Sequence, residues 1–525
     1  MNITLAGTIL QALADKGVEN ILICAGARNS PLVMQLNQCK GFQLWNFYDE
    51  RSAGFFALGR SQRDQRPVAV ITTSGTAVAE LLASAVEATY TQTPLIFITA
   101  DRPRSYRGTG APQSIDQVGL FFKYVETCVD IAVSKEAPKE SLDLSMWSGQ
   151  APLQINICFE EPLIDERVPD LDFTNKIKKE LPPPVRFNPR QLKTLNQPLV
   201  IVGPLSIAEA QYVAPILEKL GAPIYAEALS NLHVFTSLGP LLIQSGEKLV
   251  STSFRKAWSQ SILRVGGVPT LRFWRDLEES FSSLPVLSIA NSEWKGLSRP
   301  SLHFVGLENL LLVKAEWQVD SRKEIFREDQ EKKLAIQNLI EKYSQSEQAL
   351  TYELTKSICE KKSEQFLYVG NSLPIRHLDL NQSLLGPRPN LLRKAGNRGA
   401  NGIDGQISSF FGGSDQRAEN WCIVGDLTAL YDLGSPWVCQ QMDAEKLRLV
   451  IINNQGGMIF KSMFQKEIFL NRHSVDFSKW AGMWHWPYQK WTQIPLPDDL
   501  PDQVVIEIHP NSEQSDHFSL EYSRL

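Results

Sequence analysis

Two short polar texts in the last third of the chain have the residue types and spacing to hold a metal-bound diphosphate. They are Gly425-Asp426 and Asn453-Asn454-Gln455-Gly456-Gly457. Each follows an apolar run, Trp421 to Val424 and Leu447 to Ile452, and Asn454 comes 28 residues after Asp426. An acidic residue at one strand end and an amide at the next can face each other across a crevice at the carboxyl ends of a parallel sheet. Asp426 offers a carboxylate oxygen and Asn454 an amide oxygen. The backbone at Gly456 can approach closely because glycine has no side chain. Such a set leaves the other octahedral positions of Mg²⁺ to a diphosphate and water. A helix opening near Leu427-Thr428 adds backbone N–H donors for phosphate. Taken singly, a Gly-Asp text and an Asn- and Gly-bearing text are also ordinary in turns. The pairing, each after a buried strand, favours the diphosphate–metal reading.

The elements that must position these residues read as α/β throughout. Thr4 to Lys16 carries apolar residues at helical spacing. Short apolar runs at Asn20 to Cys24, Pro67 to Thr73, Pro94 to Ala100 and Leu153 to Phe159 predict buried strands, with a helix from Ser74-Gly75-Thr76 to about Tyr90. Strands at Leu199 to Val202, Gly221 to Tyr225 and Ser261 to Val265 follow, then a polar helical connector from Arg322 to Lys362. Further strands are expected at Phe366 to Val369, Trp421 to Val424, Leu447 to Ile452 and Val504 to Ile508. Apolar strands alternating with helices indicate parallel sheets flanked by helices. With the proline run at Leu181 to Pro184 as a linker, the expected division is three α/β domains, 1–181, 190–340 and 350–525. No sequence repeat at a 20–50-residue period is visible.

Bulk properties narrow the function class. The formal charge of −5 gives no electrostatic case for nucleic acid binding. No window approaches ~18 uninterrupted apolar residues, so no membrane span is expected. The start, Met1 to Leu5, has no signal-peptide pattern. Seven scattered cysteines without a CxxC pair read as buried free thiols, so a cytoplasmic enzyme is expected. The histidines, His485 among them, form no metal-spaced cluster. The Trp-rich text from Lys479 to Trp486 reads as packing or a subunit contact.

The Gly-Asp and Asn-Asn texts at this spacing resemble the signature of the thiamine-diphosphate-dependent enzymes. That family also has a glutamate near the end of the second strand, and Tyr48-Asp49-Glu50-Arg51 places it at Glu50. Alone, Asp-Glu-Arg would read as a surface salt bridge. The resemblance makes Glu50 the carboxylate that hydrogen-bonds the cofactor's pyrimidine ring and promotes loss of the thiazolium C2 proton. The cofactor supplies the hard chemistry and the protein supplies position and electrostatics. The metal ligands would be Asp426, Asn454 and Gly456, holding Mg²⁺ or Mn²⁺. Thr73, Gly75, Gly425, Leu427, Thr428, Ile459 and Phe460 would contact thiamine diphosphate, Ile459 from beneath its bent form. Plain core packing is the alternative for Ile459.

Further matching texts are Gly26-Ala27-Arg28-Asn29-Ser30-Pro31-Leu32, Thr99-Ala100-Asp101-Arg102-Pro103, Gly110-Ala111-Pro112-Gln113, Gly370-Asn371-Ser372 with Arg376, and Asn397-Arg398-Gly399-Ala400. With them the chain is similar to the menaquinone-biosynthesis synthases of that family. This resemblance implies decarboxylation of 2-oxoglutarate and 1,4-addition of the succinyl carbanion equivalent to isochorismate. The product would be 2-succinyl-5-enolpyruvyl-6-hydroxy-3-cyclohexene-1-carboxylate. Both substrates carry two carboxylates, which suit arginine's planar donor fork. Arg28, Arg102, Arg376 and Arg398 are the implied substrate arginines, with Ser372 and Gln113 beside them. Arg28, Glu50 and Gln113 would act in catalysis. Each arginine alone would more often be a surface charge. The chain departs from many relatives at Ala27 and Ser30, and in the middle domain only Arg272 is a loose match. The family implies a homodimer or homotetramer with active sites between subunits. The rival readings are another thiamine-diphosphate 2-oxo acid decarboxylase or carboligase, acetolactate-synthase-like, and a non-catalytic diphosphate-binding relative.

Overall fold

Apolar runs of five to seven residues, bounded by turn residues, become strands covered on both faces. A computed structural model of the chain describes residues 1–132, 142–177, 193–388, 392–444, 446–464, 466–495 and 499–525. The first sheet contains β1 (Asn20–Cys24), β2 (Gln43–Phe47), β3 (Val68–Thr72), β4 (Leu95–Asp101), β5 (Thr127–Ala132) and β6 (Leu153–Cys158) in the order β2-β1-β3-β4-β6-β5. All its pairs are parallel. The second has β7 (Pro198–Val202), β8 (Ile224–Ala226), β9 (Ser261–Val265), β10 (Val286–Ala290) and β11 (Leu302–Val305), ordered β8-β7-β9-β10-β11 and again parallel. The third has β12 (Gln365–Val369), β13 (Leu392–Ala395), β14 (Glu419–Gly425), β15 (Leu447–Ile452), β16 (Tyr488–Trp491) and β17 (Gln503–Ile508), ordered β13-β12-β14-β15-β17-β16. Its pairs are parallel too. The first and third sheets thus share one strand order. In both, the winding direction reverses beside the first strand, between β1 and β3 and between β12 and β14. That reversal opens a crevice at the carboxyl ends, where ligands bind in open α/β sheets.

The described residues group into two compact units. The first comprises residues 1–184 with 397–414 and 430–444, and the second comprises 185–396, 415–429 and 445–525. The central and third sheets therefore belong to the same unit. The expected linker at Leu181 to Pro184 lies outside the described residues.

Several expected elements have different bounds. The helix expected from Ser74 to Tyr90 is broken into Thr76–Ala79 and Leu82–Tyr90. Only the end of the run Gly221 to Tyr225 joins a strand, because Gly221 caps the preceding helix in a left-handed conformation. The connector is two helices, Val319–Lys342 and Glu347–Glu360. It is not wholly a solvated face. Ile325, Ile336 and Asp329 are buried, and Asp329 accepts the Gln244 and Ser245 N–H groups. All seven cysteines are free, but Cys39 and Cys128 are half-buried and not core residues. In the aromatic tail Trp480 and Trp486 are buried, consistent with packing. Among the described residues no helix is long and apolar enough to cross a membrane.

One helix pair in the first unit fixes the element that begins with Glu50. The helix Glu50–Asp64 is capped by Asp49, whose side chain accepts the N–H groups of Arg51 and Ser52. It crosses the helix Gln406–Gly413 at backbone contact. A Cβ on Gly59 would lie 2.0 Å from the Ser409 carbonyl oxygen, and one on Gly412 would lie 2.0 Å from that of Phe56. The Ser409 hydroxyl donates to the Phe55 carbonyl at 3.0 Å. Gly59→Ala or Gly412→Ala must push the helices apart, at a cost of about 1–3 kcal/mol typical of overpacking. A lower urea midpoint is expected for each; unchanged midpoints for both would mean that the two helices do not meet this closely.

Candidate active site

In the second unit, parallel pairing sets Gly425 opposite Ile452, so β14 and β15 end side by side. Asp426 and Asn454 follow directly from those ends. Asp426 is buried; one carboxylate oxygen accepts the Leu427 N–H at 2.7 Å and the other accepts the Gly456 N–H at 2.9 Å. Burial raises the Asp426 pKa, and these two N–H donors oppose the rise. Gly456 has φ +135°, and a Cβ there would meet the Leu470 carbonyl oxygen at 2.3 Å, so only glycine fits.

The two asparagines have different tasks. Asn453 turns inward, donating to Glu507 at 2.6 Å and accepting the Gln455 N–H at 3.0 Å, which shapes the turn. Asn454 donates its amide N–H to Glu347 at 2.9 Å, and its amide oxygen is buried with no hydrogen-bond partner among the described residues. A buried acceptor oxygen without a donor is costly unless something else occupies it. Together with the Asp426 carboxylate it fits a hard divalent cation.

Glu347, His377 and His473 stand behind or beside this pair, and no motif pointed to them. Burial pushes the Glu347 carboxyl up to about 7 and His377 down to about 4. Their 3.5 Å approach is therefore a neutral imidazole beside a carboxyl group and not an ion pair. His473 Nε2 lies 3.1 Å from Asp426. Glu347 opens a helix of the polar connector, whose charges read from sequence as solvated, which is why it was missed.

At the reversal point of the same sheet, β12 ends in Gly370-Asn371-Ser372. Ser372 holds φ +75°, a left-handed conformation unusual for a residue other than glycine, at the start of the helix Leu373–Leu385. Arg376 is exposed on the first turn of that helix. Ile459 and Phe460 lie on a short turn after Gly457, half-buried and exposed respectively, so neither is sealed in the core. Arg272 is exposed and lies 3.9 Å from Asp276, which matches a solvated helix charge.

The remaining expected residues lie in the first unit. Glu50 is half-buried and its pKa is raised, chiefly by burial and further by the charges of Asp49 and Glu80. Burial, and after it the charges of Glu50 and Asp49, raise the Cys24 thiol pKa at the end of β1. The loops after β1 and β3 touch, since a Cβ on Gly26 would lie 2.6 Å from the Thr73 Cβ. Gly75 follows with φ +89°, and the Gln113 backbone passes over it: a Cβ on Gly75 would be 3.5 Å from the Gln113 Cα. Arg28 is buried, donates to the Phe159 carbonyl and pairs with Glu161 at 3.0 Å. Arg102 sits 5.6 Å over the Tyr106 ring, with its Nε buried and unpaired. Arg398 is half-buried beside the Gly399 and Ala400 N–H groups, which donate to the buried Glu87 carboxylate at 2.7 and 2.6 Å. Within the first unit the structure gathers Thr73, Gly75 and Gln113 in adjoining loops. Within the second it gathers Asp426, Asn454 and Gly456.

Comparison with known proteins gives two findings. The profile of the thiamine pyrophosphate enzyme N-terminal TPP binding domain matches residues 3–120. Over its whole length the chain is 44% identical to the 2-succinyl-5-enolpyruvyl-6-hydroxy-3-cyclohexene-1-carboxylate synthase of Bdellovibrio bacteriovorus, covering 99% of that protein. It is 33% identical to the synthase of the same name from Akkermansia muciniphila, over 96% of this chain and 95% of that one. A third such synthase, from Geobacillus kaustophilus, is 31% identical over 91% of this chain and 86% of its own length.

The Glu347 contact leads to a test. Glu347→Leu removes the acceptor that orients Asn454, and outer contacts of this kind are typically worth about 10–100-fold in metal affinity. In Mg²⁺ titrations followed by thermal stabilisation with thiamine diphosphate present, Glu347→Leu is expected to need that much more metal. Glu347→Gln, which keeps an acceptor oxygen, should titrate close to the parent. Equal behaviour of the two variants would remove Glu347 from the site.

Proposed function

We propose that this chain, which belongs to the family of 2-succinyl-5-enolpyruvyl-6-hydroxy-3-cyclohexene-1-carboxylate synthases, joins 2-oxoglutarate to isochorismate with loss of CO₂. Thiamine diphosphate, when bound, would supply the nucleophilic carbon and electron sink for the decarboxylation and the 1,4-addition. The observation that carries the reading for the site itself is the buried, unpartnered Asn454 amide oxygen beside Asp426 at two adjacent strand ends.

The chain's own residues take defined parts. Asp426, Asn454 and the Gly456 backbone hold Mg²⁺ or Mn²⁺ against the diphosphate, with Gly425, Leu427 and Thr428 lining its approach. Ile459 and Phe460 cover the cofactor, and Thr73 and Gly75 meet its pyrimidine side. Glu50 keeps a proton more readily than an exposed glutamate because burial raises its pKa. Its carboxyl can therefore share that proton with a ring nitrogen. Arg28, Arg102, Arg376 and Arg398, with Ser372 and Gln113, receive the substrates' carboxylates and polar groups. Residues 1–181 form the pyrimidine-binding domain, 190–340 the central domain and 350–525 the diphosphate-binding domain. The enzyme works in the cytoplasm, where its free thiols stay reduced. It assembles as a homodimer or homotetramer in which Glu50 of one subunit serves the diphosphate site of another.

Substrate choice is tested by CO₂ release from 2-oxoglutarate and from pyruvate, each with and without isochorismate, in the presence of Mg²⁺ and thiamine diphosphate. Turnover is expected with 2-oxoglutarate and isochorismate together; preference for pyruvate would instead support an acetolactate-synthase-like enzyme. Glu50→Gln should lower kcat at least about 100-fold, the scale of a lost proton-transfer group, and should still bind the cofactor. Co-folded with Asp426→Ala, it should regain activity, up to about a quarter of the parent if sites are shared between subunits. Absence of any regain would place both residues in one subunit's site.

A further inference from the structure

Beneath the loop that carries Gln113, the core of the first sheet contains a run of polar residues where apolar ones would pack as well. Gln117, Asn156, Gln154 and Thr99 are fully buried, and Asp101 nearly so. The Gln117 amide oxygen accepts the Gly75 N–H at 2.9 Å. Its amide nitrogen donates to the Ala100 carbonyl at 3.2 Å and to the Asn156 amide oxygen at 2.9 Å. Asn156 donates in turn to Asp101 at 3.1 Å and to Asp130 at 2.8 Å. Asp101 accepts the Arg102 N–H at 2.8 Å, and Arg107 bridges Asp101 and Asp130 at 3.2 and 2.7 Å. An unbroken chain of buried hydrogen bonds thus runs from Gly75 to Arg102.

The chain has a fixed polarity. One end of the Gln117 amide faces a backbone donor, and the other faces two acceptors. One end of the Asn156 amide faces a donor, and the other faces two carboxylates. Turning either amide over would set donor against donor and acceptor against acceptor. Such a network is costly unless every member is satisfied, and when satisfied it holds its parts in one arrangement.

What it holds is the loop between Arg102 and Gln117. Both ends of the loop are tied into the network. Its middle is exposed and carries left-handed residues at Gly108, Gly110 and Gln113. Gln113 rests on Gly75, the residue whose N–H Gln117 grips.

We propose that Gln117 is a positioning residue for the condensation, acting through Gly75 and Asn156 to fix Gln113 and Arg102 at one separation. This rests on the reading above, in which Gln113 and Arg102 meet the substrates. Gln117 does not itself touch them. It sets the geometry of the groups that do, and a displacement of about 1 Å in such groups can cost about 100-fold in rate.

The test is a double-mutant cycle on the full-length holoenzyme, with kcat and KM for 2-oxoglutarate and isochorismate measured well below each variant's Tm. Gln117→Met keeps the side-chain volume and removes both amide functions. Gln117→Asn, which keeps the amide and retracts it, serves in the same cycle if the methionine variant does not fold. Gln113→Ala and Gln117→Met are each expected to lower kcat/KM, by about 10- to 100-fold for the latter. The double variant should lose less than about threefold beyond Gln113→Ala alone, because both changes remove one function. Losses that multiply would overturn the proposal and leave the reading of Gln113 intact. A Gln113→Ala enzyme with parental kinetics would overturn that reading and the proposal with it. A Gln117 variant with lower Tm but parental kcat and KM would mark the residue as merely structural.

Discussion

Asp426 accepts the Gly456 N–H at 2.9 Å, and this bond ties the turn after β15 to the end of the neighbouring strand β14. The carboxylate would ordinarily repay its burial by facing water. Here two backbone N–H groups stand in for water while the side chain remains available at the strand end. The turn from Asn453 to Gly457 can come that close only because Gly456 lacks a Cβ and Asn453 is drawn inward by Glu507. Asn454 is then left with its N–H fixed by Glu347 and its oxygen unsatisfied. The protein thus fixes the orientation of both side chains and leaves the Asn454 oxygen unused, as a cation ligand would need.

The same architecture appears twice, with different residues at the reversal point. In the third sheet β12 and β14 carry Ser372 and Asp426 there, while in the first sheet the loops after β1 and β3 carry Arg28, Thr73 and Gly75. One strand order therefore presents a carboxylate and a serine at one reversal point and hydrogen-bonding and arginine residues at the other. The fold supplies a place, and the strand-end residues supply the chemistry. The helix that starts at Glu50 has its own constraint, a backbone-to-backbone crossing that admits only glycine at positions 59 and 412.

The sequence was most legible where physics leaves the fewest options. Central strands such as Asn20–Cys24 and Leu447–Ile452 are mostly apolar because both faces are covered, and their bounds agree with the expected ones. Edge strands such as Leu302–Val305 and Leu392–Ala395 were missed, since a half-covered edge mixes polar with apolar residues. Val286–Ala290 was missed although it is fully buried, because Ser288 interrupts its short apolar run. The shared strand order of the first and third sheets left no repeat in the sequence: topology is set by which faces must be buried, and many sequences satisfy that requirement. The Asp426 and Asn454 pair was legible because oxygen-bearing side chains just after two buried strand runs stand out in the sequence. Glu347 and His473 were not, because their roles arise from packing between segments far apart in the chain, which no local spacing encodes.

Gln117 and Asn156 belong to that second group, and their energetics explain why they stay polar. A Leu or Met at Gln117 would fill the same space but leave the buried Gly75 N–H without its acceptor, at a cost of about 1–3 kcal/mol. What an amide adds is direction. Its oxygen and nitrogen are not interchangeable, and each link in the run from Gly75 to Asp101 fits only one way round. An apolar core tolerates small slips between its layers, whereas a satisfied polar network resists them. The loop above has an exposed middle with three left-handed residues and little packing of its own. Anchoring both of its ends to one directional network ties this poorly packed loop to the sheet beneath it.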